Sequence, residues 1–105
     1  MILCTTDNVP GREIRETVGL VRGNTVRSRH LGRDISAGFK RLVGGEIEEY
    51  TKLLAESREQ ALDRMMAEAR ARGADAVVGL RFTSSEISAG SAEFVAYGTA
   101  VKLAH

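Results

Sequence analysis

Apolar residues recur every three or four positions through the middle of the chain, which is the spacing of one face of an α-helix. The stripe runs from Ile47 to Ala69 and predicts a helix from about Glu46 to Arg72. Gly73 follows directly and is expected to be the C′ residue of this helix. A helix of that length would span about 40 Å, which is long for a chain of 105 residues.

Alternating apolar and polar positions predict four strands, at residues 2–6, 13–27, 76–84 and 92–103. A shorter helical pattern covers residues 34–43, and Gly44 and Gly45 would end that helix. The predicted order is therefore two strands, two helices and two strands. Within the second strand, Gly23 and Asn24 are expected to form a bulge or turn, and residues 86–91 are expected to form the last hairpin loop.

The last two predicted strands carry apolar side chains on both faces. In the second strand, the apolar residues expected to share a face are Ile14, Val18 and Leu20. In the third strand they are Ala76, Val78, Leu80 and Phe82. In the last strand they are Val95, Tyr97, Thr99, Val101 and Leu103 on one face and Phe94, Ala96, Gly98 and Ala100 on the other. One helix can cover only one face of a small sheet, so the pattern predicts that identical copies cover the second face.

Composition limits the classes of function that the chain can have. Fifteen basic residues against fourteen acidic ones give a net charge of +1, and aromatic residues make up 5%. Neither value favours nucleic acid or an anionic membrane as a partner. The one cysteine, Cys4, excludes an intrachain disulfide and indicates a cytoplasmic protein. No stretch has the roughly 20 apolar residues of a membrane span, and the first residues do not predict a signal peptide.

Charge is unevenly distributed along the chain. Residues 22–41 carry six basic side chains and one acidic one, whereas residues 46–75 carry eight acidic and five basic ones. Such a basic arm and acidic helix could meet across a head-to-tail interface between copies. Two separate solvated faces would explain the same pattern.

An ordered set of short motifs resembles the YbjQ family of small bacterial and archaeal proteins of uncharacterised function. The matching segments are Ser28-Arg29, Arg33-Asp34, Ala37-Gly38, Gly44-Gly45-Glu46, Tyr50-Thr51, Leu53-Leu54, Arg64-Met65, residues 73–79, Arg81-Phe82 and residues 96–101. The resemblance runs from the first strand almost to the C-terminus and treats residues 1–105 as one domain.

This resemblance implies an α+β, two-layer, dodecin-subunit-like fold, in which an antiparallel sheet packs on one long helix plus a short helix. It also implies that the subunits assemble as a ring, with a homo-pentamer expected. The family carries the label "putative heavy-metal-binding", which rests on distant similarity.

Arginines and one glutamate are the candidate ligand-binding residues, because a guanidinium grips a carboxylate or phosphate through a planar fork. They are Arg29, Arg33, Glu46 and Arg81, which we expect at boundaries between subunits. Salt bridges between subunits are the alternative role for the same side chains.

A soft-metal site needs clustered cysteine or histidine, and no such spacing is present. Cys4 and His30 are the candidate ligands, although Cys4 also fits a small core residue and His30 a surface or interface residue. No catalytic residue, cofactor or nucleophile–base pair is predicted. The preferred function is an oligomeric scaffold or small-ligand binder; a heavy-metal binder is the alternative, and an enzyme is least favoured.

Overall fold

The computed structural model describes residues 1–28, 48–88 and 90–105. In these ranges it contains strands β1 (Ile2–Leu3) and β2 (Ile14–Ser28), helix α1 (Glu48–Ala71), and strands β3 (Ala76–Ser88) and β4 (Ser91–Leu103). The helix and strands predicted around these segments are confirmed, with β1 shorter and β3 longer than expected. The predicted helix at residues 34–43, the turn at Gly44 and Gly45, and the predicted helix start at Glu46 lie outside the described residues.

The four strands form one sheet in the order β1-β3-β4-β2. β4 pairs antiparallel with both of its neighbours, whereas β1 pairs parallel with β3, Ile2 opposite Ala76 and Leu3 opposite Val77. The expectation of a purely antiparallel sheet is therefore wrong at one edge. Short hairpins force neighbouring strands to be antiparallel, but β1 and β3 are separated by β2 and α1, so their direction is free.

The end of α1 has the hydrogen bonds of a Schellman motif. The amide of Gly73 donates to the carbonyl of Arg70 (3.0 Å) and the amide of Ala74 to that of Ala69 (3.0 Å). Gly73 has φ of +77°, a conformation that glycine adopts without steric cost. The prediction of Gly73 as the C′ residue is confirmed, and the motif turns the chain directly into β3.

Helix α1 packs on the face of the sheet formed by β2 and β4. The buried residues of this first core are Val21, Ala61, Met65, Ala69, Val77, Phe94, Ala96 and Ala100. The helix is therefore amphipathic in the way the sequence predicts. Its small residues, Ala61 and Ala69, lie where helix and sheet meet.

A second core covers one end of the opposite face, and the chain supplies it itself. Its buried residues are Val9, Ala76, Val78, Val101 and Leu103, with Cys4 and Ile14 packed against them. The segment between β1 and β2 thus lies over the end of the sheet near Leu103. The expectation that the whole second face needs other copies is too broad, because the chain itself covers the end near Leu103; among the described residues, only the rest of that face lacks a covering segment.

Four irregularities in strand pairing change which side chains share a face. β2 shifts register between Ile14 and Glu16 and again between Thr17 and Gly19. β3 shifts between Val78 and Arg81 and again between Glu86 and Ser88. A bulge adds one residue to one strand and so reverses the alternation beyond it.

The faces expected from strict alternation are consequently wrong in both strands. In β2, Ile14 packs on the second core and Val18 on the first, while Leu20 is exposed. In β3, Ala76 and Val78 belong to the second core, but Phe82 lies opposite Ala96 of the first. In β4, which carries no bulge of its own, the two expected faces are confirmed.

The expected bulge or turn at Gly23 and Asn24 is also wrong, since both residues pair regularly, with Ala96 and Val95 of β4. The predicted loop at residues 86–91 is shorter than expected. β3 continues to Ser88 and β4 begins at Ser91, so that the strands form one long hairpin.

Candidate interaction surface and site residues

The far half of β3 is the most exposed regular segment among the described residues. All eight residues from Arg81 to Ser88 are exposed, including the large apolar side chains of Phe82 (46%) and Ile87 (57%). β3 pairs with β4 on one side, while on its other side the ladder with β1 ends at Leu3 and Val77. Within the described part of the chain, the outer edge of this half-strand has no strand partner.

A second exposed patch lies on the sheet face opposite α1. Leu20 (59%) and Val26 (55%) of β2 and Tyr97 (37%) of β4 are exposed on this face. Tyr97 lies between two arginines, because Arg22 of β2 and Arg81 of β3 are its partners in the two ladders. Residues directly opposite one another project on the same face, so this patch combines apolar and cationic groups.

Arg81 is the one candidate ligand-binding residue that the structure describes. Its Nη1 atom donates to the carbonyl oxygens of Thr5 (2.8 Å) and Leu80 (2.8 Å). The guanidinium therefore lies beside the outer edge of β3, anchored through a single nitrogen, and the side chain is exposed. The other candidates, Arg29, Arg33 and Glu46, lie outside the described residues, and their roles stay predictions.

Cys4 is half-buried against the second core. Its amide donates to the carbonyl of Val77 (2.9 Å), and its carbonyl accepts from the amide of Leu80 (3.0 Å), which fixes its backbone beside β3. In the described ranges no three histidine, cysteine, aspartate or glutamate residues are grouped to hold a metal ion. His30, the other candidate metal ligand, lies outside these ranges.

The outer edge of β2 is covered by side chains of α1, a feature that the sequence analysis did not predict. Arg72 donates from Nη1 to the carbonyl of Leu20 (2.9 Å) and from Nη2 to that of Val18 (3.2 Å). Glu68 accepts from the amide of Arg22 (3.2 Å), and Arg64 donates to the carbonyl of Asn24 (2.6 Å). Glu68 and Arg72 also form an ion pair four residues apart on the helix, at 4.0 Å, in addition to their hydrogen bonds to β2.

A half-buried arginine lies further along the same strand. Arg27 donates from Nη2 to Oε1 of Gln60 (2.9 Å), and its Nε atom is buried without an acceptor among the described residues. Nearby, Oγ1 of Thr25 donates to the carbonyl of Ser57 (2.7 Å), and both residues are buried. These polar contacts fix the middle of α1 against β2.

Within the residues described, no helix is both long and apolar enough to cross a membrane.

Comparison with known proteins gives matches over almost the whole chain. A family model named YbjQ_1 and described as "Putative heavy-metal-binding" matches residues 1–104. A UPF0145 protein of Photobacterium profundum is 58% identical over 103 residues, covering 98% of this chain and 100% of the relative. A UPF0145 protein of Thermotoga maritima is 59% identical, covering 98% and 97%, and one of Archaeoglobus fulgidus is 58% identical, covering 98% and 95%.

A solved structure has a similar fold. It is a protein of unknown function from Pediococcus pentosaceus, assigned to the DUF74 family, with a TM-score of 0.67 and 14% sequence identity. The alignment covers 99% of this chain and 98% of that protein. At this identity the likeness concerns the fold alone, whereas the family model and the relatives above cover nearly every residue of the sequence. The chain therefore belongs to the YbjQ family, and its bacterial and archaeal relatives described above are named UPF0145 proteins.

Proposed function

We propose that this chain is the subunit of a cytoplasmic homo-oligomeric ring, with five copies expected, that binds a small anionic ligand at its subunit boundaries. The observation that carries the proposal is the far half of β3. There, eight consecutive exposed residues include Phe82 and Ile87 on an edge without a strand partner among the described residues. Unpaired strand edges with apolar side chains readily pair with another chain.

The patch around Tyr97 supports the same proposal. Leu20, Val26 and Tyr97 lie on the face that α1 does not cover, beyond the end that the second core occupies. Exposed apolar side chains grouped on one face of a sheet are a common feature of interaction sites in soluble proteins. A neighbouring copy that covers this patch and the β3 edge would bury apolar groups that one copy leaves in water.

The anionic character of the ligand follows from the arginines at this surface. Arg81 uses one nitrogen of its guanidinium for the carbonyls of Thr5 and Leu80, which leaves the remaining donors for a carboxylate or phosphate. Arg22 stands on the other side of Tyr97. Arg29, Arg33 and Glu46, which lie outside the described residues, are predicted from their chemistry to act at the same boundaries.

Assembly is tested by light scattering on size-separated protein at micromolar concentration. The unsubstituted chain should have a mass several times that of its 11.4 kDa protomer. Phe82→Ser with Ile87→Ser should shift the mass towards one protomer, because these substitutions remove the exposed apolar side chains of β3. Ala67→Ser with Ala71→Ser, at exposed positions of α1, is the control and should keep the wild-type mass. A compact wild-type monomer would contradict the proposal.

Ligand binding is tested by thermal unfolding with inorganic phosphate and with citrate as probes. Both anions should raise the midpoint of the wild-type protein, and Arg81→Ala should remove the rise. Arg58→Ala, an equal loss of charge at an exposed position of α1, should retain it. If the two variants respond equally to the anions, Arg81 has no part in binding.

Heavy-metal binding is the second candidate, because the matching family model carries that description. The candidate ligands are Cys4 and His30, which lies outside the described residues. The described ranges contain no group of three ligand residues, so a site built on Cys4 from these ranges would use thiols from several copies around the ring axis. Equilibrium dialysis with Zn²⁺, Cu⁺ and Cd²⁺ tests this. Cys4→Ser should abolish uptake if the thiol is a ligand, and unchanged uptake would exclude it.

A further inference from the structure

The two long edges of the sheet differ in accessibility. The outer edge of β3 is open from Arg81 onwards within the described residues, whereas the outer edge of β2 is covered by three side chains of α1. We propose that Arg64, Glu68 and Arg72 form an edge guard, which prevents a strand of another copy from adding to β2. The edge guard rests on the proposed self-assembly in one respect: a second copy of the chain supplies the strand that is prevented from pairing with β2.

Each side chain of the edge guard pairs with a backbone group of β2 of the opposite hydrogen-bonding type, donor with acceptor. Arg64 and Arg72 donate to carbonyl oxygens of Asn24, Leu20 and Val18, and Glu68 accepts from the amide of Arg22. These are backbone groups that an added strand would use, because alternate residues of an edge strand direct both their N–H and C=O groups outwards. Four of them are occupied within one copy.

The spacing of helix and strand explains how one helix face can follow the edge. Arg64, Glu68 and Arg72 are four residues apart, which is a rise of about 6 Å per step. Alternate residues of a strand are separated by about 6.6 Å. The order is also reversed, Arg64 meeting Asn24 and Arg72 meeting Leu20, so α1 runs antiparallel to β2 and the two repeats stay in step.

Gly19 makes room for the last residue of the edge guard. A Cβ atom at position 19 would lie 3.2 Å from Nη2 of Arg72, and the φ of Gly19 is +133°, which side chains rarely allow. The ion pair within the edge guard is long, 4.0 Å, and both side chains are about two-fifths exposed. Exposed pairs contribute little to stability, so blocking the edge is the larger consequence of this arrangement.

The edge guard determines which edge of the sheet is available for contacts between copies. If β3 of one copy added to β2 of the next, each addition would expose a new β3 edge, and the sheet would grow without closing. Because the edge guard occupies β2, contacts between copies are directed to the β3 edge and to other surfaces. The arrangement therefore favours closed assemblies over filaments.

The test is the triple variant Arg64→Ala, Glu68→Ala and Arg72→Ala. Its control is Arg58→Ala, Glu59→Ala and Arg70→Ala, which removes the same charges from exposed positions of the same helix. Light scattering across a hundredfold range of protein concentration, with thioflavin T fluorescence, measures growth. The edge-guard variant should form species that grow with concentration and exceed the wild-type mass several-fold, while the control keeps the wild-type mass.

Equal, concentration-independent masses for the folded edge-guard variant and its control would overturn the proposal. If the triple variant does not fold by circular dichroism, Arg72→Ala alone frees the carbonyls of Val18 and Leu20, and the same measurement applies. In Glu68→Ala the amide of Arg22 should exchange hydrogen at least tenfold faster than in wild type, and unchanged exchange would contradict the contact itself.

A final variant combines the edge-guard substitutions with those in β3 and distinguishes the edge-guard proposal from the proposed ring. Adding Phe82→Ser and Ile87→Ser to the edge-guard variant should stop its growth, because the β3 edge would lose the exposed apolar side chains that favour its pairing with β2. Persistent growth would overturn the β3-to-β2 part of the proposal. A wild-type monomer would contradict the ring, and growth of the edge-guard variant beyond that monomer would still support the edge guard.

Discussion

The backbone of Met65 lies directly over Gly23, in the space that a side chain at position 23 would occupy. A Cβ atom there would overlap the amide nitrogen of Met65 and the carbonyl oxygen of Ala61, and would lie 2.8 Å from the carbonyl carbon of Arg64. Gly23 is regularly paired with Ala96 and has no positive φ. Glycine is needed here for the close approach of α1 to β2, which also brings the edge guard within reach of the strand.

Gly23→Ala should lower the free energy of unfolding by about 3 kcal/mol, because the added methyl group meets rigid helix backbone. Urea denaturation monitored by circular dichroism measures the loss. Gly11→Ala is the control: Gly11 has φ of +80° and open space around it, so the change costs only about 1 kcal/mol of backbone strain. Equal losses for the two variants would show that crowding at position 23 is not the cause.

The buried hydroxyl of Thr25 is the second test of the contact between α1 and β2. Thr25→Val keeps the shape of the side chain but removes its hydrogen bond to the carbonyl of Ser57. We expect a loss of about 1 kcal/mol in the free energy of unfolding, the usual net contribution of such a bond. Thr17→Val, at an exposed position of the same strand, should change stability much less. A neutral Thr25→Val would show that the bond contributes nothing.

The elements that sequence analysis predicts well are those whose pattern is long and local. The stripe from Ile47 to Ala69 spans several turns, and Gly73 ends the helix by its own backbone freedom. β4 alternates without interruption, so both of its faces are predicted correctly. Strict alternation fails in β2 and β3 because bulges depend on pairing between strands, which one strand's sequence does not reveal.

The candidate site was less accessible to sequence analysis, for a physical reason. The edge guard depends on α1 and β2 being antiparallel and closely packed, which joins residues 40 or more positions apart. The sequence does contain a signal, since Arg64, Glu68 and Arg72 share one helix face, but an i, i+4 pair alone predicts only a salt bridge. Gly23 is a second signal in the sequence. It was expected to form a bulge or turn, but its lack of a side chain instead indicates close packing of α1 on β2.

Asp75 connects the start of β3 to the end of β4. Its Oδ2 atom accepts a hydrogen bond from the amide of Leu103 (2.8 Å), and its own amide donates to the carbonyl of Val101 (2.9 Å). Asp75→Ala should lower the free energy of unfolding by about 1.5 kcal/mol, because the amide of Leu103 loses a charged acceptor. Hydrogen exchange at Leu103 should become faster in this variant.

Asp63→Ala is the control for Asp75, because Asp63 is exposed on α1. It should leave both the stability and the exchange of Leu103 near the wild-type values. If Asp75→Ala leaves the Leu103 amide as protected as before, the side-chain contact does not hold the end of β4.

Gly73 offers a test of how α1 passes into β3. At φ of +77° any side chain adds backbone strain, although space is not the obstacle, since the nearest atom to an added Cβ is Cε of Lys102 at 3.6 Å. Gly73→Ala should therefore cost about 1 kcal/mol in the free energy of unfolding. Gly73→Asn should cost less, because asparagine tolerates the left-handed conformation better than other side chains. Chemical denaturation of both variants measures the difference in the free energy of unfolding. If the alanine variant is as stable as the asparagine variant, position 73 leaves the left-handed conformation when it is substituted.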